Sequence, residues 1–480
     1  MKTFINYIKL LFIISIIIFT SLARSQDMQT EMAHFIQGFH DYKQFNGNVL
    51  VAKDGKVLFE KSYGYANFEW DIEHSEKSKF RIGSITKQFT AMLILQLAQQ
   101  GKLKLDEPLA TYLPDYRQDI AAKITLRQIL NHTSGLSNYT QLKTFRDEYS
   151  KNNYSVDEFI RLLCSDDLLF EPGTEFRYSN SGYFILGAVI EKVTGQKYKD
   201  VLQKNILDPL EMNDTGYDSH NKIIKFRVLG YDNGLTGYSN TDYLDMSIPY
   251  AAGSMYSTAR DLLKWDQALY SDKLLNKEYK KQMYHVSEQR NYALGWEVTN
   301  LDKSTYGKPL TRIQHGGGIN GFNAFISRII EDKLLVIILN NTGGAPLTPM
   351  TNGLLAIYYD KPYEKATEHV DSKLYNVFKR EGIEGLKKTY QQMVSDGNTP
   401  RERSLNYFGY ELMQMGELDA AITVFELNNQ SYPDSANTFD SLGEAYLVAG
   451  DKQKALASYK KALKLDPESN SAHDAIEKLQ

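Results

Sequence analysis

The sequence predicts an α+β protein in which one mainly antiparallel sheet is covered by helices and carries a helical insert, and an all-α solenoid follows. Two observations lead to this fold class. Strand patterns stand at two distant places in the chain, with helical patterns between them. After about residue 365 the strand patterns stop and helical patterns repeat at a fixed interval. A length of 480 residues also favours several units over one domain.

The strand patterns are two pairs of apolar runs, each folded about a turn. Residues 48–62 predict a β-hairpin, because β-branched and aromatic residues flank Asp54-Gly55, a dipeptide that suits a tight turn. Residues 325–330 and 334–339 predict the second pair. Because the pairs stand at the two ends of a helical stretch, we expect them to join in one sheet.

Helical patterns occupy the segment between the strand pairs. Residues 85–100 form one pattern, which ends at Gly101, and residues 183–193 form another, which ends at Gly195. A third pattern covers residues 259–269. These segments predict the helices that cover the sheet and the helical insert.

The composition is that of a globular protein without affinity for polyanions. Hydrophobic residues make up 42% and charged residues 24%, which excludes a disordered or collagen-like chain. The formal net charge of −4 provides no basic footprint, so no nucleic-acid partner is expected. The single cysteine, Cys164, lies among leucines and is interpreted as a small buried hydrophobe and not as a nucleophile.

Residues 1–25 have the pattern of a secretory signal peptide. Two lysines precede an apolar run over residues 10–19, and Ala23 and Ser25 supply the small residues of a cleavage site. An uncleaved anchor is the alternative, but the run is shorter than the ~20 residues that span a bilayer. We therefore predict a periplasmic or extracellular protein without a stable membrane anchor after cleavage. Removal of the signal's three basic residues changes the formal charge from −4 to −7.

The last part of the chain repeats with a period of 34 residues. Small, aromatic and proline residues recur at that interval: Gly409 and Gly443, Gly416 and Gly450, Ala421 and Ala455, Phe425 and Tyr459, Pro433 and Pro467. This pattern resembles the tetratricopeptide repeat, in which small residues let two antiparallel helices approach. The resemblance covers two repeats over residues 402–469, with a capping helix after them. Gly382 indicates a weaker third unit before them.

The segment with the most chemical information is Ser84-Ile85-Thr86-Lys87, at the start of the first helical pattern. At a spacing of three residues, Ser84 and Lys87 share one helix face. Lysine can accept the serine proton where burial or cationic neighbours lower its pKa, and a helix N-terminus offers free N–H groups to an oxyanion. The pattern alone is weak, because Ser458 and Lys461 repeat it in the tail, where we expect a solvated surface pair.

A fixed order of motifs makes the serine more informative. Ser84-x-x-Lys87 is followed by Tyr-x-Asn and then by His315-Gly316-Gly317-Gly318. This order resembles the serine β-lactamase and penicillin-binding-protein superfamily in its class C-like branch. Three further segments resemble the same family: residues 125–136, 251–258 and 292–296. The resemblance covers about residues 30–360 and implies the family's antiparallel sheet with helices, with neither metal nor cofactor.

The middle motif has more than one candidate. Tyr-x-Asn begins at four positions: Tyr65, Tyr178, Tyr231 and Tyr238. The copy at Tyr65 precedes Ser84 and therefore has the wrong order. Tyr178-Ser179-Asn180 lies between a turn and a helical pattern, which is where the family's motif sits. We prefer it to the copies at 231 and 238, which we assign to a surface loop or to the rim of the site.

The resemblance implies a serine hydrolase that works through an acyl-enzyme. Ser84 would attack the substrate carbonyl, and Lys87 and Tyr178 would share the proton transfer. Asn180 would hydrogen-bond Lys87 or a substrate amide. The backbone N–H groups of Ser84 and Gly318 would form the oxyanion hole. The implied substrates are D-amino-acid peptides, esters or β-lactams.

The third motif departs from the family's lysine form. Where that form has a fixed positive charge for a substrate carboxylate, this chain has His315. An unperturbed pKa near ~6.5 predicts a partial charge on His315 at neutral pH. This weakens the case for an efficient β-lactamase and remains compatible with a peptidase or an esterase. Gly317 and Gly318 are expected to let a substrate backbone approach the strand.

Other classes fit the chain less well. An α/β-hydrolase needs Gly-x-Ser-x-Gly, which the chain lacks, and the nine histidines show no His-Glu-x-x-His spacing for a metal. His132 opens a turn and is interpreted as structural. The alternative of a different class is a penicillin-binding or cell-wall-fragment sensor or scaffold with little turnover.

The predicted organisation has four parts: a signal peptide over residues 1–25, a serine hydrolase domain over 26–365, a linker or degenerate helical repeat over 366–401, and tetratricopeptide repeats over 402–480. The expected partners are a small-molecule or peptide substrate for the hydrolase domain and a protein bound by the repeats.

Overall fold

The computed structural model describes residues 26–479, so the predicted signal peptide lies outside the described residues. The chain forms two compact units. The first runs up to Asn233 and from Tyr238 to Ala366, and the second comprises Gly234–Gly237 and the chain from Thr367 onward. Within the described range, no helix combines the length and the apolar character that crossing a membrane requires.

The strands lie in the first unit, apart from Gly234 and Gly237, which belong to the second unit. They are β1 (Gly47–Lys53), β2 (Lys56–Tyr63), β3 (Tyr65–Asn67), β4 (Ile72–Glu73), β5 (Phe80–Arg81), β6 (Gly216–Tyr217), β7 (Tyr231–Gly234), β8 (Gly237–Asn240), β9 (Met255–Ser257), β10 (Glu297–Leu301), β11 (Leu310–Ile319), β12 (Phe322–Ile329) and β13 (Leu334–Asn340).

The helices of the first unit are α1 (described over residues 26–41), α2 (Thr86–Gln99), α3 (Gln118–Ala121), α4 (Leu126–Leu130), α5 (Val156–Leu163), α6 (Asn180–Thr194), α7 (Tyr198–Leu202), α8 (Tyr250–Gly253), α9 (Ala259–Tyr270), α10 (Lys277–Met283), α11 (Lys303–Tyr306) and α12 (Leu347–Tyr358). Those of the second unit are α13 (Val370–Ser395), α14 (Glu402–Gln414), α15 (Leu418–Ser431), α16 (Ala436–Val448), α17 (Lys452–Leu465) and α18 (Asn470–Leu479).

A six-stranded sheet in the order β10-β11-β12-β13-β1-β2 organises the first unit, and each neighbouring pair is antiparallel. The predicted hairpin is confirmed as β1 and β2, with Asp54 and Gly55 both at positive φ in the turn. The predicted second pair is β12 and β13. Because β13 pairs with β1, the two ends of the domain meet in one sheet, and the predicted α+β fold class is confirmed.

The sheet is buried on both faces. Along β1, Leu50 and Ala52 pack in one core while Val49 and Val51 pack in the other. Residues of β13 alternate in the same way, which follows from the two-residue period of a strand. A continuous apolar run, such as residues 334–339, is therefore the pattern of a strand in a sheet that has helices packed on both faces.

Helices cover each face of this sheet. On one face α1 and α12 contribute apolar residues to the smaller core. On the other face α2, α6 and α9 belong to the larger core, together with the insert between β5 and β10. Helix α2 is buried along nearly its whole length, from Thr86 to Ala98. This central helix therefore holds whatever stands at its start in a fixed position.

The second unit consists of successive antiparallel helix pairs. Gly409 of α14 faces Phe425 of α15, and a Cβ at Gly409 would lie 2.5 Å from that ring. Gly443 of α16 faces Tyr459 of α17 in the equivalent way, at 3.0 Å. The small and aromatic positions of the 34-residue period are thus contact partners, and the small residues let the paired helices approach, as expected. Before them, α13 is interrupted at Gly382, which has a non-helical φ of 68°.

Candidate active site

Ser84 lies in a single 3₁₀ turn, Gly83–Ile85, which joins β5 to α2. The predicted helix over residues 85–100 is therefore α2 preceded by this turn. Gly83 has a φ of 48°, and a Cβ there would lie 2.9 Å from the backbone nitrogen of Gly318. Only glycine fits such a conformation and such a close approach without strain. The turn consequently holds Ser84 beside β11, part-exposed at the start of a buried helix.

Lys87 is fully buried one turn after Ser84, and its ammonium nitrogen has three partners. Nζ lies 3.1 Å from Oγ of Ser84, 2.8 Å from Oδ1 of Asn180 and 2.9 Å from the carbonyl oxygen of Ala252. No carboxylate is among these partners, and burial lowers the pKa of Lys87 well below its usual value. The neutral amine is therefore favoured to a degree that an exposed lysine never reaches at neutral pH.

Tyr178 and Asn180 reach this cluster from the loop that begins α6. The Ser179 side chain accepts the Gly182 N–H at 3.2 Å and caps the helix, which starts at Asn180 and not at the predicted residue 183. The Lys87 Nζ lies 4.9 Å from the centre of the Tyr178 ring. Burial raises the pKa of the Tyr178 phenol, and a hydrogen bond with Ser84 opposes that rise.

The other Tyr-x-Asn copies lie elsewhere in the first unit. Tyr231 is part of β7, and Tyr238 of β8 stacks on Phe68 at 4.6 Å between ring centres. The Asn240 side chain donates to Glu69. None of these residues forms a hydrogen bond with Ser84 or Lys87, whereas Asn180 accepts a hydrogen bond from Lys87.

His315 lies on β11 and is 4% exposed. Its Nε2 is 2.8 Å from the hydroxyl of Tyr292, and its Nδ1 is 2.6 Å from the carbonyl oxygen of Gly316. Burial is the main cause that lowers the pKa of His315 to about 4. The expectation of a partial positive charge at neutral pH is therefore wrong: His315 is neutral, with Nδ1–H donating to Gly316 and Nε2 accepting from Tyr292.

The glycines after His315 differ in how much room each leaves for a side chain. A Cβ on Gly317 would overlap the carbonyl oxygen of Ile82, just before the nucleophile turn. A Cβ on Gly316 would make an ordinary 3.4 Å contact with Phe325. At Gly317, packing of the Ser84 turn on the strand thus requires glycine, whereas Gly316 has room for a side chain. Gly318 lines the open cleft.

His132 was expected to be structural, and it lies directly behind Tyr178. Their ring centres are 4.2 Å apart, and Nδ1 of His132 accepts the backbone N–H of Ser179 at 3.2 Å. The ring is 1% exposed and Nε2 has no hydrogen-bond partner. Burial lowers the pKa of His132 well below its usual value. The neutral ring therefore positions the loop that carries Tyr178.

A cleft of about 380 Å³ opens in front of Ser84. Asn180 and Gly318 line it near the serine, and Tyr139, Leu244 and Ile248 supply an apolar wall. Such a volume and such a lining are typical of a small-molecule site. Among residues 26–479, no group of three or more His, Cys, Asp or Glu side chains could hold a metal ion.

Three contributors to the site were not singled out from the sequence. The Ala252 carbonyl accepts from Lys87, Asn138 Oδ1 accepts from the Asn180 side chain at 3.2 Å, and Tyr292 donates to His315. Each lies in or next to a segment that resembles the family. The resemblance pointed to the segments that contain or adjoin them. The Ala252 carbonyl and the Asn138 side chain, which pairs with Asn180, have no sequence signature of their own.

The fold and the Ser-Lys-Tyr cluster define a β-lactamase or penicillin-binding-protein type of domain. The chain belongs to the Beta-lactamase family, which it matches over residues 32–358, and a Tetratricopeptide repeat matches residues 436–469. The resemblance inferred from the motifs is therefore confirmed for both parts of the chain.

Individual relatives agree with this family. Protein flp of Staphylococcus aureus (strain MRSA252) is 29% identical over 327 residues, which cover 66% of this chain and 62% of that protein. The chain thus aligns with less than two thirds of the length of this relative.

Solved structures show the same fold. The penicillin binding protein from Bacillus halodurans has a TM-score of 0.58 at 25% identity, covering 67% of this chain and 99% of that one. The D-amino acid amidase from Ochrobactrum anthropi SV3, complexed with L-phenylalanine, has a TM-score of 0.60 at 25% identity, covering 70% and 99%.

Proposed function

We propose that the first unit is a serine hydrolase that forms an acyl-enzyme on Ser84 and acts on amide or ester bonds. The contact of 3.1 Å between Lys87 Nζ and Ser84 Oγ carries this proposal. A neutral amine has two N–H groups and one lone pair. Asn180 and the Ala252 carbonyl accept the two N–H groups, so the lone pair is left for the Ser84 proton.

In the acylation step, Ser84 Oγ attacks the substrate carbonyl while its proton moves to Lys87 Nζ. The negative charge that develops on the carbonyl oxygen would be stabilised by the backbone N–H groups of Ser84 and Gly318. One such donor typically contributes about 2.7–4 kcal/mol to the transition state. The close packing of the Gly83 turn on Gly318 supports this pairing of donors.

The leaving group requires a proton as the tetrahedral intermediate collapses. Tyr178 is suited to supply it, because burial raises its pKa and keeps the phenol protonated. Lys87, now protonated, returns a proton to Tyr178, whose ring centre lies 4.9 Å from Nζ. Water then attacks the acyl-enzyme, and Ser84 regains its proton on release of the acid.

The neutral His315 bears on the class of substrate. At the first position of the motif the neutral His315 offers no fixed positive charge for a carboxylate, which lysine provides in the other form of this motif. We therefore place amides and esters of D-amino-acid type ahead of β-lactams. The D-amino acid amidase, one of the two similar solved structures described above, supports this order.

A substrate panel tests the proposal. Nitrophenyl esters, nitrocefin and D-Ala-D-Ala peptides are compared for wild type and Ser84→Ala, together with labelling by a fluorophosphonate and a fluorescent penicillin. We expect Ser84-dependent labelling and turnover of at least one ester or D-amide. A stable Ser84 label without turnover of any substrate would favour the sensor alternative, and absence of both label and turnover would contradict the proposal.

We also propose that the protein is exported and that the repeat unit docks a protein partner. The N-terminal pattern of residues 1–25 supports the first point, and the helix pairs of the second unit support the other. Mass spectrometry of the secreted or periplasmic protein should give an N-terminus at Gln26. Deletion after residue 366 should spare small-ester hydrolysis, and loss of that activity in a folded truncation would contradict a pure docking role.

A further inference from the structure

One charged pair lies at the mouth of the cleft in front of Ser84. Arg146 Nε is 3.2 Å from Oδ2 of Asp242, and their side chains are 74% and 51% exposed. Among the described residues that line the cleft, these two carry the only charged side chains. Lys87 is buried below the cleft, and His315 is neutral. Any charge on a substrate in this cleft therefore meets Arg146 or Asp242.

The backbones of this pair are held while their side chains face water. The Ser150 hydroxyl donates to the carbonyl oxygen of Arg146 at 2.6 Å, and the Asn320 amide donates to that of Asp242 at 2.9 Å. An ion pair that both partners share with water is weak and exchanges readily. Each side chain can consequently leave its partner for a substrate group without moving the chain around it.

The lining of the cleft, together with the role we propose for Tyr178, assigns the acyl side of the scissile bond to this cleft. Its lining includes Ser84, Gly318 and Asn180, whereas Tyr178 is absent from it. Since Tyr178 is the residue we assign to the leaving group, the leaving group lies towards Tyr178. The remaining space, along the apolar wall of Tyr139, takes the acyl part of the substrate.

We propose that Arg146 and Asp242 together recognise a zwitterionic amino-acid head at the far end of the acyl group, joined to the reacting carbonyl by an apolar spacer. An α-amino acid head carries an ammonium and a carboxylate on one carbon. It pairs its carboxylate with Arg146 and its ammonium with Asp242. A group with a single charge would leave one member of the pair without a partner. The proposal rests on the proposed acyl-enzyme function.

A set of four anilides isolates the two charges. γ-Glutamyl, glutaryl, 4-aminobutyryl and butyryl 4-nitroanilides share the same chain of four carbons, counted from the carbonyl to the substituted carbon. The γ-glutamyl compound carries both charges, the glutaryl compound only the carboxylate, the 4-aminobutyryl compound only the ammonium, and the butyryl compound neither. Each anilide is also made with one more methylene in its chain, so that an effect of chain length is not mistaken for an effect of charge. Both stereoisomers of the γ-glutamyl compound are included. All are assayed with the full mature chain.

The variants Arg146→Gln and Asp242→Asn remove one charge each, and neither residue belongs to the proposed proton-transfer machinery. We expect kcat/KM in wild type to be highest for the γ-glutamyl compound or its longer homologue. Arg146→Gln should lower it about two- to fivefold for the compounds with a carboxylate, mainly through KM, because the pairing is exposed to water. Asp242→Asn should do the same for those with an ammonium. Both variants should leave the butyryl compound unchanged.

The outcomes separate this proposal from the proposed function. Equal effects of either variant on all four anilides would assign the pair a structural role and overturn the proposal. A wild-type preference for the glutaryl or the 4-aminobutyryl compound over the γ-glutamyl one would reduce it to recognition of one charge, which also overturns it. Absence of Ser84-dependent hydrolysis of all anilides and of simple esters would contradict the proposed function itself.

Discussion

The chain contains the pattern Ser-x-x-Lys twice in helical surroundings, and the two copies have different environments. Lys87 is fully buried, with three hydrogen-bond partners and no carboxylate beside it. Lys461 lies on the exposed side of α17, 5.6 Å from the Phe439 ring. Ser458 is 8% exposed, so the expectation of a solvated pair holds for the lysine and is wrong for the serine.

The difference shows how the environment of Ser84 and Lys87, for which we propose a reaction, departs from that of a surface pair at the same spacing. In α17 the serine is buried in the helix packing and the lysine points to water, so the two never share an environment. At the start of α2 the serine is part-exposed and the lysine is buried beneath it. Burial lowers the pKa of that lysine, and the adjoining turn opens towards a cleft.

The largest effect should come from removing the buried amine. We expect Lys87→Met to lower kcat of ester hydrolysis by about 10²–10⁴, the range typical of a lost general base. Lys461→Met is the matched control and should leave the rate within twofold. Steady-state kinetics with a nitrophenyl ester measure both. Equal rates for Lys87→Met and wild type would remove the distinction between the two copies.

The same variant should alter stability with a defined pH dependence. The folded-state pKa of Lys87 is lower than its unfolded value of 10.5, so the unfolded chain binds the additional proton and wild-type stability falls as pH falls below 10.5. Lys87→Met lacks this loss. Its gain in urea midpoint over wild type should therefore be larger at pH 6 than at pH 9. Tryptophan fluorescence reports this for the first unit alone, which holds Trp70, Trp265 and Trp296.

The next largest effect should come from the glycine that lets the nucleophile turn pack on β11. Gly317→Ala places a Cβ against the Ile82 carbonyl, so we expect about a hundredfold loss of kcat from displacement of Ser84. The free energy of unfolding should fall by about 1–3 kcal/mol. Gly316→Ala, where the new Cβ has room, is the control. Similar effects of both substitutions would show that the strand tolerates no side chain at all.

A smaller effect should come from the histidine behind Tyr178. His132→Phe keeps a ring against Tyr178 but removes the acceptor for the Ser179 N–H, and we expect kcat to fall about five- to tenfold while KM stays similar. His132→Asn retains an acceptor and tolerates the local φ of 62°, so it should recover most of that loss. If kcat of His132→Asn is no higher than that of His132→Phe, the loss of activity comes from ring packing and not from the lost hydrogen bond.

The smallest effect on activity should come from the second unit. Gly409→Ala forces a Cβ against Phe425, and we expect the second unit to lose about 1–3 kcal/mol of unfolding free energy. Far-UV circular dichroism follows this unfolding. Ester hydrolysis should stay within twofold of wild type, because no residue that we assign to the chemistry belongs to the second unit. A parallel loss of hydrolysis would contradict the separation of the two functions.

Much of the fold was accessible from local patterns. The hairpin about Asp54-Gly55 and the central helix were predicted within a few residues, because turn chemistry and helical period are local properties. The 34-residue period predicted close approach of paired helices at the small residues, and Gly409 lies against Phe425 of the next helix. The strand order was not predicted, because pairing of β1 with β13 joins residues whose separation in sequence carries no local signal.

The site divides in the same way. The sequence by itself supplied the candidates for the reacting groups, since Ser84 and Lys87 stand at a fixed spacing and the family resemblance favoured Tyr178 among four copies of its motif. Only the tertiary structure decided their charge states and their support. Burial makes His315 neutral, and folding brings the Ala252 carbonyl to Lys87. Desolvation and long-range backbone contacts depend on what surrounds a residue in space, and neighbours in the sequence do not specify them.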